Sequence, residues 1–504
     1  MLLNQFPDKK QYVTLADKYN VIPVCMEILA DMETPVSLLR KLNDQKKSLF
    51  LFESVEGRSR WGRYSFLGTS PKKEILVFKD HIKIIEKNNS KKIPHDNKPL
   101  DVLRKFLAQY EPADIPELPR FWGGMIGYVC YEMVSFFEDI PNRLPDSKPR
   151  AHFIIPEEMI IFDNEKNTLT AIVISFPDKN TDKEKSYEDA ARKLKQLLKK
   201  ISLEYGTVQK SKAQRNKEKN IYKLSPEYSD NRYQDHVQKI KEHIYQGDII
   251  QAVISQPFEC HHPPDLVELY RAQRYINPSP YLYFMKLSST ALVGSSPETM
   301  VRLENNTATL RPIAGTRPRG KNEQEDRALA NDLLSDEKER AEHLMLVDLG
   351  RNDLGRIAKT GSVQVTDLMS VERYSHVMHL VSNIRCDLGP GKDAWDLFKA
   401  SFPAGTLSGA PKVRAMQIIY DLEKEARGTY GGAVGYISFS GNMDFAITIR
   451  TACIEDGKLK VQAGAGIIAD SDPEKERIET YNKAMALEKA LMLVSDLQYS
   501  GEEQ

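Results

Sequence analysis

The chain has 504 residues, 41% of them hydrophobic, enough to bury one large core or two ordinary ones, which excludes a disordered protein. Lys plus Arg and Asp plus Glu both number 71, so the formal net charge is zero and no overall basic field favours nucleic acid or an anionic membrane. Five cysteines (Cys25, Cys130, Cys260, Cys386, Cys453), an odd number without a C-x-x-C pair, read as reduced thiols; with no signal-like amino terminus and no apolar run of about eighteen residues, a soluble cytoplasmic protein is expected.

Residues 1 to about 175 read as short strand-like runs, such as Ile75 to Phe78 and Met159 to Phe162, between Pro- and Gly-containing turns. From Asp178 the composition turns to Lys and Glu, with helical periodicity through Leu194, Leu197, Leu198 and Ile201 and none across Gln209 to Lys219. The boundaries are therefore set at 1–205, a charged linker at 206–222, and 223–500. The last part mixes helical patterns with hairpins, an α+β layout rather than alternating βαβ units. Gly441-Asn442 and Asp456-Gly457 are tight-turn pairs, and Met443 to Glu455 between them reads as one strand. Asp472 as N-cap, Pro473 at the first helical position and apolar spacing through Leu491 predict a long terminal helix. The pattern G-G-x-x-G-Y occurs at Gly123 to Tyr128 and again at Gly431 to Tyr436, through duplication or convergence.

Several groups bear on chemistry. Glu339 and Glu342 share a helical face, as do Glu476 and Glu479, with Lys483 four residues beyond. Such pairs suit a hard divalent cation and equally occur on solvated helices. Alternation from Met443 places Arg450 beside small neighbours, where its guanidinium suits either a bound carboxylate or a structural acid. The glycines of Gln462 to Gly466 admit an anion to backbone N–H groups or simply serve strand packing. His379, inside an apolar run, reads as a core histidine or a proton-transfer group. The loops Gly315 to Arg317 and Pro403 to Pro411 offer hydroxyls and amides to an oxygen-rich ligand, or are plain turns.

Taken together, these segments resemble the chorismate-utilising enzyme family, and within it the large subunits of anthranilate synthases. The resemblance runs through Pro312 to Gly320, Ala341 to Leu349, the Pro403 to Pro411 loop, Gly464 to Ile467 and the acidic terminal helix. Phe52-Glu53-Ser54 and Trp61 to Gly68 extend it to the amino-terminal part. It implies an antiparallel β-sandwich core with helices packed outside, a regulatory region at 1–205 and a chorismate-binding catalytic region at 223–500.

The resemblance also implies roles. Glu342 and Glu479, with Glu339 and Glu476 adjoining, would hold Mg2+; Tyr430, Arg450, Ala465, Gly466 and Lys483 would bind chorismate. Thr316 and Thr406 would assist at the ring, and His379 would be the acid for the departing C4 hydroxyl. Ala314 and Gln251 stand where relatives carry lysines that act as a nucleophile or activate water, so ammonia is the expected nucleophile. No cysteine lies in a nucleophile elbow, so glutamine use calls for a separate glutamine amidotransferase subunit, in a heterotetramer. Glu53 and Ser54, with Asn277, Pro278, Ser279, Pro280 and Tyr281, resemble a tryptophan feedback site.

Overall fold

The computed structural model describes residues 2–44, 47–54, 62–178, 180–202, 222–374 and 377–500. Apart from Tyr222, the expected linker lies outside the described residues, as does Trp61.

Two large antiparallel layers form the core. In the first, Leu2–Phe6, Ile22–Leu29, Thr168–Ser175 and residues 158–163 lie side by side, followed by the first half of Tyr64–Val77 and by Leu49–Glu53. Tyr281–Leu287, Thr290–Ser296, Thr451–Glu455, Lys458–Ile467 and Gln251–Cys260 complete it. The second layer runs from Asn89–Pro94 and His81–Glu86 through residues 74–77 and 151–154 to Gly124–Val129 and Ala433–Ser438. It continues through Met443–Ile447, Thr299–Glu304 and Thr307–Leu310 to Val377–Asp387, which is flanked by Ile313–Pro318 and Gln364–Arg373. The long strands Tyr64–Val77 and Ala151–Asp163 belong to both layers, and their ladder slips between Pro71 and Lys73, where the strands can splay apart.

The interior between the layers is apolar and aromatic. Phe66 of the first layer meets Phe121 edge-on at 5.1 Å and Tyr436 of the second at 6.3 Å, and Tyr281 Oη donates across to Asp444 Oδ1 at 2.8 Å. The amino- and carboxy-terminal parts of the sequence share these layers: Leu49–Glu53 pairs with Tyr281–Leu287, and Gly124–Val129 with Ala433–Ser438.

That last ladder explains the repeated G-G-x-x-G-Y pattern physically. The two copies lie against each other with Gly127 opposite Gly435. A Cβ on Gly127 would sit 1.9 Å from the His152 carbonyl oxygen, and one on Gly435 2.1 Å from that of Asp444. Close backbone approach demands glycine at both places whatever their ancestry.

Helices cover the layers from outside. Lys183–Ser202 buries Leu194, Leu197 and Ile201 of the expected stripe together with Ala190, while Leu198 at its edge is half-buried. The terminal helix spans Pro473–Ser500, and Asp472 Oδ1 accepts the Lys475 amide at 2.9 Å as its cap. The turn at Asp456-Gly457 has both residues at positive φ, as a tight hairpin requires.

The strand expected from Met443 to Glu455 is not continuous. It ends at Ile447 in the second layer and resumes at Thr451 in the first, with Arg450 between them at φ +49°. Beside it the chain makes the reverse crossing, from Thr290–Ser296 to Thr299–Glu304 through Pro297 and Glu298. The Ile447 amide donates to Glu298 O at 3.0 Å and the Ser295 amide to Arg450 O at 3.2 Å, so the two crossings brace each other. Alternating hydrophobicity continues through such a crossing because both layers bury their inner faces, which is why the pattern reads as one strand.

Candidate active site and inhibitor cavity

A cavity of about 500 Å³ opens at these crossings. Its floor is built by the crossings themselves, through Pro297, Glu298, Ile449 and Arg450, and its walls by Gln251, Thr406, Tyr430, Gly464 and Gly466. Glu339 and Glu342 enter from helix Glu337–Gly355, while Glu476, Glu479 and Lys483 enter from the terminal helix. Thr316 and His379 close the far side from paired strands, opposite one another in register. Every residue expected to bind substrate or metal or to act in catalysis therefore lines one cavity, with the exception of Ala465. Strand alternation turns Ala465 the other way, into an apolar cluster with Ile254, Ala415 and Ile418 beneath the helices.

Local chemistry positions these groups. His379 Nδ1–H donates to Gly315 O at 2.9 Å and lies 3.0 Å from Thr316 Oγ1, which fixes the tautomer with Nε2 unprotonated. Burial, reinforced by the Arg450 charge, holds this imidazole below its ordinary pKa and so neutral. Lys483 Nζ donates to Gly464 O at 2.8 Å and pairs with Glu479 at 2.7 Å. Gly466 admits Gln251 so closely that a Cβ would stand 2.3 Å from its Nε2; Gln251 itself is 5% exposed, with an unpartnered Oε1.

The acidic wall fits a hard cation in its donor chemistry. Burial raises Glu342, and the neighbouring Glu339 and Glu479 charges raise it further; burial and then Glu479 raise Glu476. Like charges held together at such cost are relieved by a divalent ion with oxygen ligands. Among the described residues no three acidic or histidine side chains stand close enough to coordinate an ion as they lie, so binding would draw the two helices' carboxylates together.

Two features lay beyond the sequence reading. Glu298 is half-buried in the cavity wall, its carboxyl pushed up to about 7 by desolvation and partly restrained by a 3.0 Å hydrogen bond from Thr406 Oγ1. The one available sign was an acid directly after Pro297 between two strand patterns. Behind Tyr430, the buried Arg427 grips Glu423 at 2.7 and 2.8 Å and donates to Leu407 O and Val253 O at 2.7 Å. Glu423 Oε1 in turn accepts from the Ser255 amide and hydroxyl at 2.7 Å, and Ser255 Oγ accepts from Gln462. One ion pair thus ties together four segments of the cavity wall.

A second, smaller cavity of about 80 Å³ lies between the layers. Of the residues expected to bind an inhibitor, Glu53, Ser54, Pro280 and Tyr281 line it, joined by Arg302, Tyr436 and Asp444. Asn277, Pro278 and Ser279 do not; Asn277 Nδ2 is tied to Ser295 Oγ at 3.1 Å, and Ser295 Oγ donates to Ser279 at 2.8 Å. Glu53 accepts from Tyr270 Oη and from Arg274 Nε at 2.7 Å, so its carboxylate is held in place.

The geometry agrees with what the chain is similar to. A family model described as chorismate binding enzyme matches residues 58–489. Component 1 of anthranilate synthase from Acetivibrio thermocellus is 45% identical over 489 residues, covering 96% of this chain and 98% of that one. The component from Aquifex aeolicus is 46% identical over 486 residues, covering 96% and 97%. The crystal structure of anthranilate synthase component I from Streptococcus pneumoniae TIGR4 superposes with a TM-score of 0.74 at 37% identity, covering 92% of this chain and 99% of that one. By family match and by full-length similarity, this chain belongs to the chorismate binding enzymes.

Proposed function

We propose that the chain converts chorismate and ammonia to anthranilate, pyruvate and water, as the synthase subunit of an anthranilate synthase fed by a glutamine amidotransferase and inhibited by tryptophan. The observation that carries the reading is the single cavity where Arg450, Tyr430, four carboxylates, a neutral histidine and a protonatable glutamate converge. Arg450 and Tyr430 hold a substrate carboxylate, with the Gly466 amide beside them. Glu342 and Glu479, supported by Glu339 and Glu476, would hold Mg2+, which when bound supplies the positive charge that fixes the ring carboxylate against the acidic wall.

Ammonia adds at C2 while the C4 hydroxyl leaves with a proton; loss of the C2 proton then expels the enolpyruvyl group and makes the ring aromatic. Two proton transfers need an acid and a base. Glu298, held near 7, carries the donor proton, and neutral His379, with Nδ1–H committed to Gly315, presents Nε2 as acceptor. This exchanges the acid role that resemblance suggests for His379, because burial and Arg450 disfavour its protonated form. The unpartnered Gln251 Oε1 supplies an acceptor for an ammonia N–H, whereas a lysine there would favour water.

Incubating the purified chain with chorismate, magnesium and ammonium tests the proposal. Anthranilate, seen by mass and fluorescence and suppressed by tryptophan or by magnesium removal, is the expected outcome. Isochorismate, a stable aminated intermediate or no product would overturn it.

A further inference from the structure

The two cavities are not independent: Pro297 and Ile313 line both. In the extended crossing at residues 297–299, successive side chains face opposite ways. Thr299 faces the small cavity, Glu298 the large one, and Pro297 reaches both. Thr299 Oγ1 is 3.0 Å from Tyr281 Oη in the small cavity, while the Glu298 carboxylate takes its 3.0 Å hydrogen bond in the large one.

We propose that residues 297–299 are the lever by which an aromatic amino acid in the small cavity displaces Glu298 in the active site. This rests on the small cavity being the inhibitor site. A space of about 80 Å³ holds roughly three waters at about 30 Å³ each, against the fifteen or so non-hydrogen atoms of tryptophan, so a wall must move. Most walls resist. Leu282 and Tyr283 are paired on both sides, to Phe52 and Glu53 and to Gly294 and Ser295; Val434 to Tyr436 likewise sit between residues 126–128 and 444–446. Displacing either strand breaks ladder hydrogen bonds on two edges. Pro297 and Glu298 lie outside both ladders, held through the Ile447 amide to Glu298 O and longer Ser296 hydroxyl contacts of 3.4 Å, and Thr299 is paired on one edge only, to Ala446. The stiff proline makes the segment turn as a unit rather than crumple, so an inhibitor pressing on Thr299 and Pro297 carries Glu298 with them.

The test measures coupling rather than activity. Tryptophan affinity of the full chain is determined by calorimetry with and without chorismate and magnesium, ammonium being omitted so that amination cannot proceed. In the wild type, saturating chorismate is expected to weaken tryptophan by about tenfold or more, and by linkage the reverse holds equally. Thr299→Val, which keeps the volume and loses the Tyr281 contact, should reduce that ratio several-fold whatever it does to either affinity alone. Thr299→Ser should preserve it, which separates loss of the hydroxyl link from misfolding, and Ser54→Ala should weaken tryptophan without changing the ratio. An unchanged ratio in Thr299→Val overturns the lever while leaving the inhibitor site standing. Absence of tryptophan binding to the wild type overturns both.

Discussion

Burial holds the Glu298 carboxyl near 7, well above the ordinary glutamate value of 4.5, and that shift costs stability as well as serving chemistry. Below about pH 4.5 the group is protonated folded and unfolded alike; as pH rises towards 7 only the unfolded chain releases the proton freely, so stability is lost across that window and levels off above it. A shift of that size corresponds to about 3 kcal/mol. Glu298→Gln, which keeps the shape and the Thr406 contact, should therefore melt at the wild-type temperature near pH 4.5 and several degrees higher above pH 7, while losing at least about a hundredfold in turnover. Equal melting curves at pH 8 would show that the carboxyl is not strained there. In the wild type the proton-donating form disappears above 7, so kcat should fall about tenfold per pH unit on the alkaline side, a limb absent from the variant. At Gln251 the expected change is of kind: Gln251→Lys should lower anthranilate formation and produce isochorismate, an isomer of chorismate recognised by its chromatographic retention and by oxygen-18 taken up from labelled water. Unchanged product identity would return Gln251 to a packing role beside Gly466.

At the scale of elements, the sequence discloses what has a period and hides what interrupts one. The terminal helix is legible because Asp472, Pro473 and the apolar stripe each report locally, and the hairpin at Asp456-Gly457 because its turn residues tolerate positive φ. The break at residues 448–450 is not legible, since both halves of the apparent strand bury apolar faces and only the partner strands differ. Nor is the Arg427–Glu423 pair, whose meaning lies in the four segments it joins rather than in its i,i+4 spacing. The pair is buried, so removal of either partner leaves an uncompensated charge. Arg427→Lys keeps the charge but loses the planar fork that serves Glu423, Leu407 and Val253 together. The expected result is a loss of roughly 2 kcal/mol of stability from charge-assisted hydrogen bonds left unmade and, well below the melting point, a rise in KM for chorismate larger than the fall in kcat, because the Tyr430 and Thr406 walls lose register before the proton-transfer groups do. A fall in kcat alone would place the pair nearer the chemistry than its contacts suggest.

For the whole molecule, the division of the sequence near residues 206–222 does not correspond to two separately built cores. Each layer is built partly from strands before it and partly from strands after it, joined where Leu49–Glu53 pairs with Tyr281–Leu287 and Gly124–Val129 with Ala433–Ser438, and one apolar cluster runs from Phe6 and Tyr12 through Phe445 to Leu491 and Val494. The resemblance to a family conveys this arrangement, whereas composition and charge convey only the polar stretch between. A chain assembled in this way should unfold in one calorimetric transition, with the van't Hoff and calorimetric enthalpies in agreement. Tryptophan should move that single transition upward as a whole. At a ligand concentration about a hundred times Kd the stabilisation is about 2.7 kcal/mol, shared by the regions on both sides of the boundary because the cavity takes Glu53 and Ser54 from one and Tyr281, Tyr436 and Asp444 from the other. A fragment of residues 1–205 should bind no tryptophan, since half the cavity and one of the two partner strands of Leu49–Glu53 and of Gly124–Val129 are missing. Two resolved transitions, of which tryptophan shifted only the first, would show instead that the amino-terminal part stands alone and carries the inhibitor site by itself.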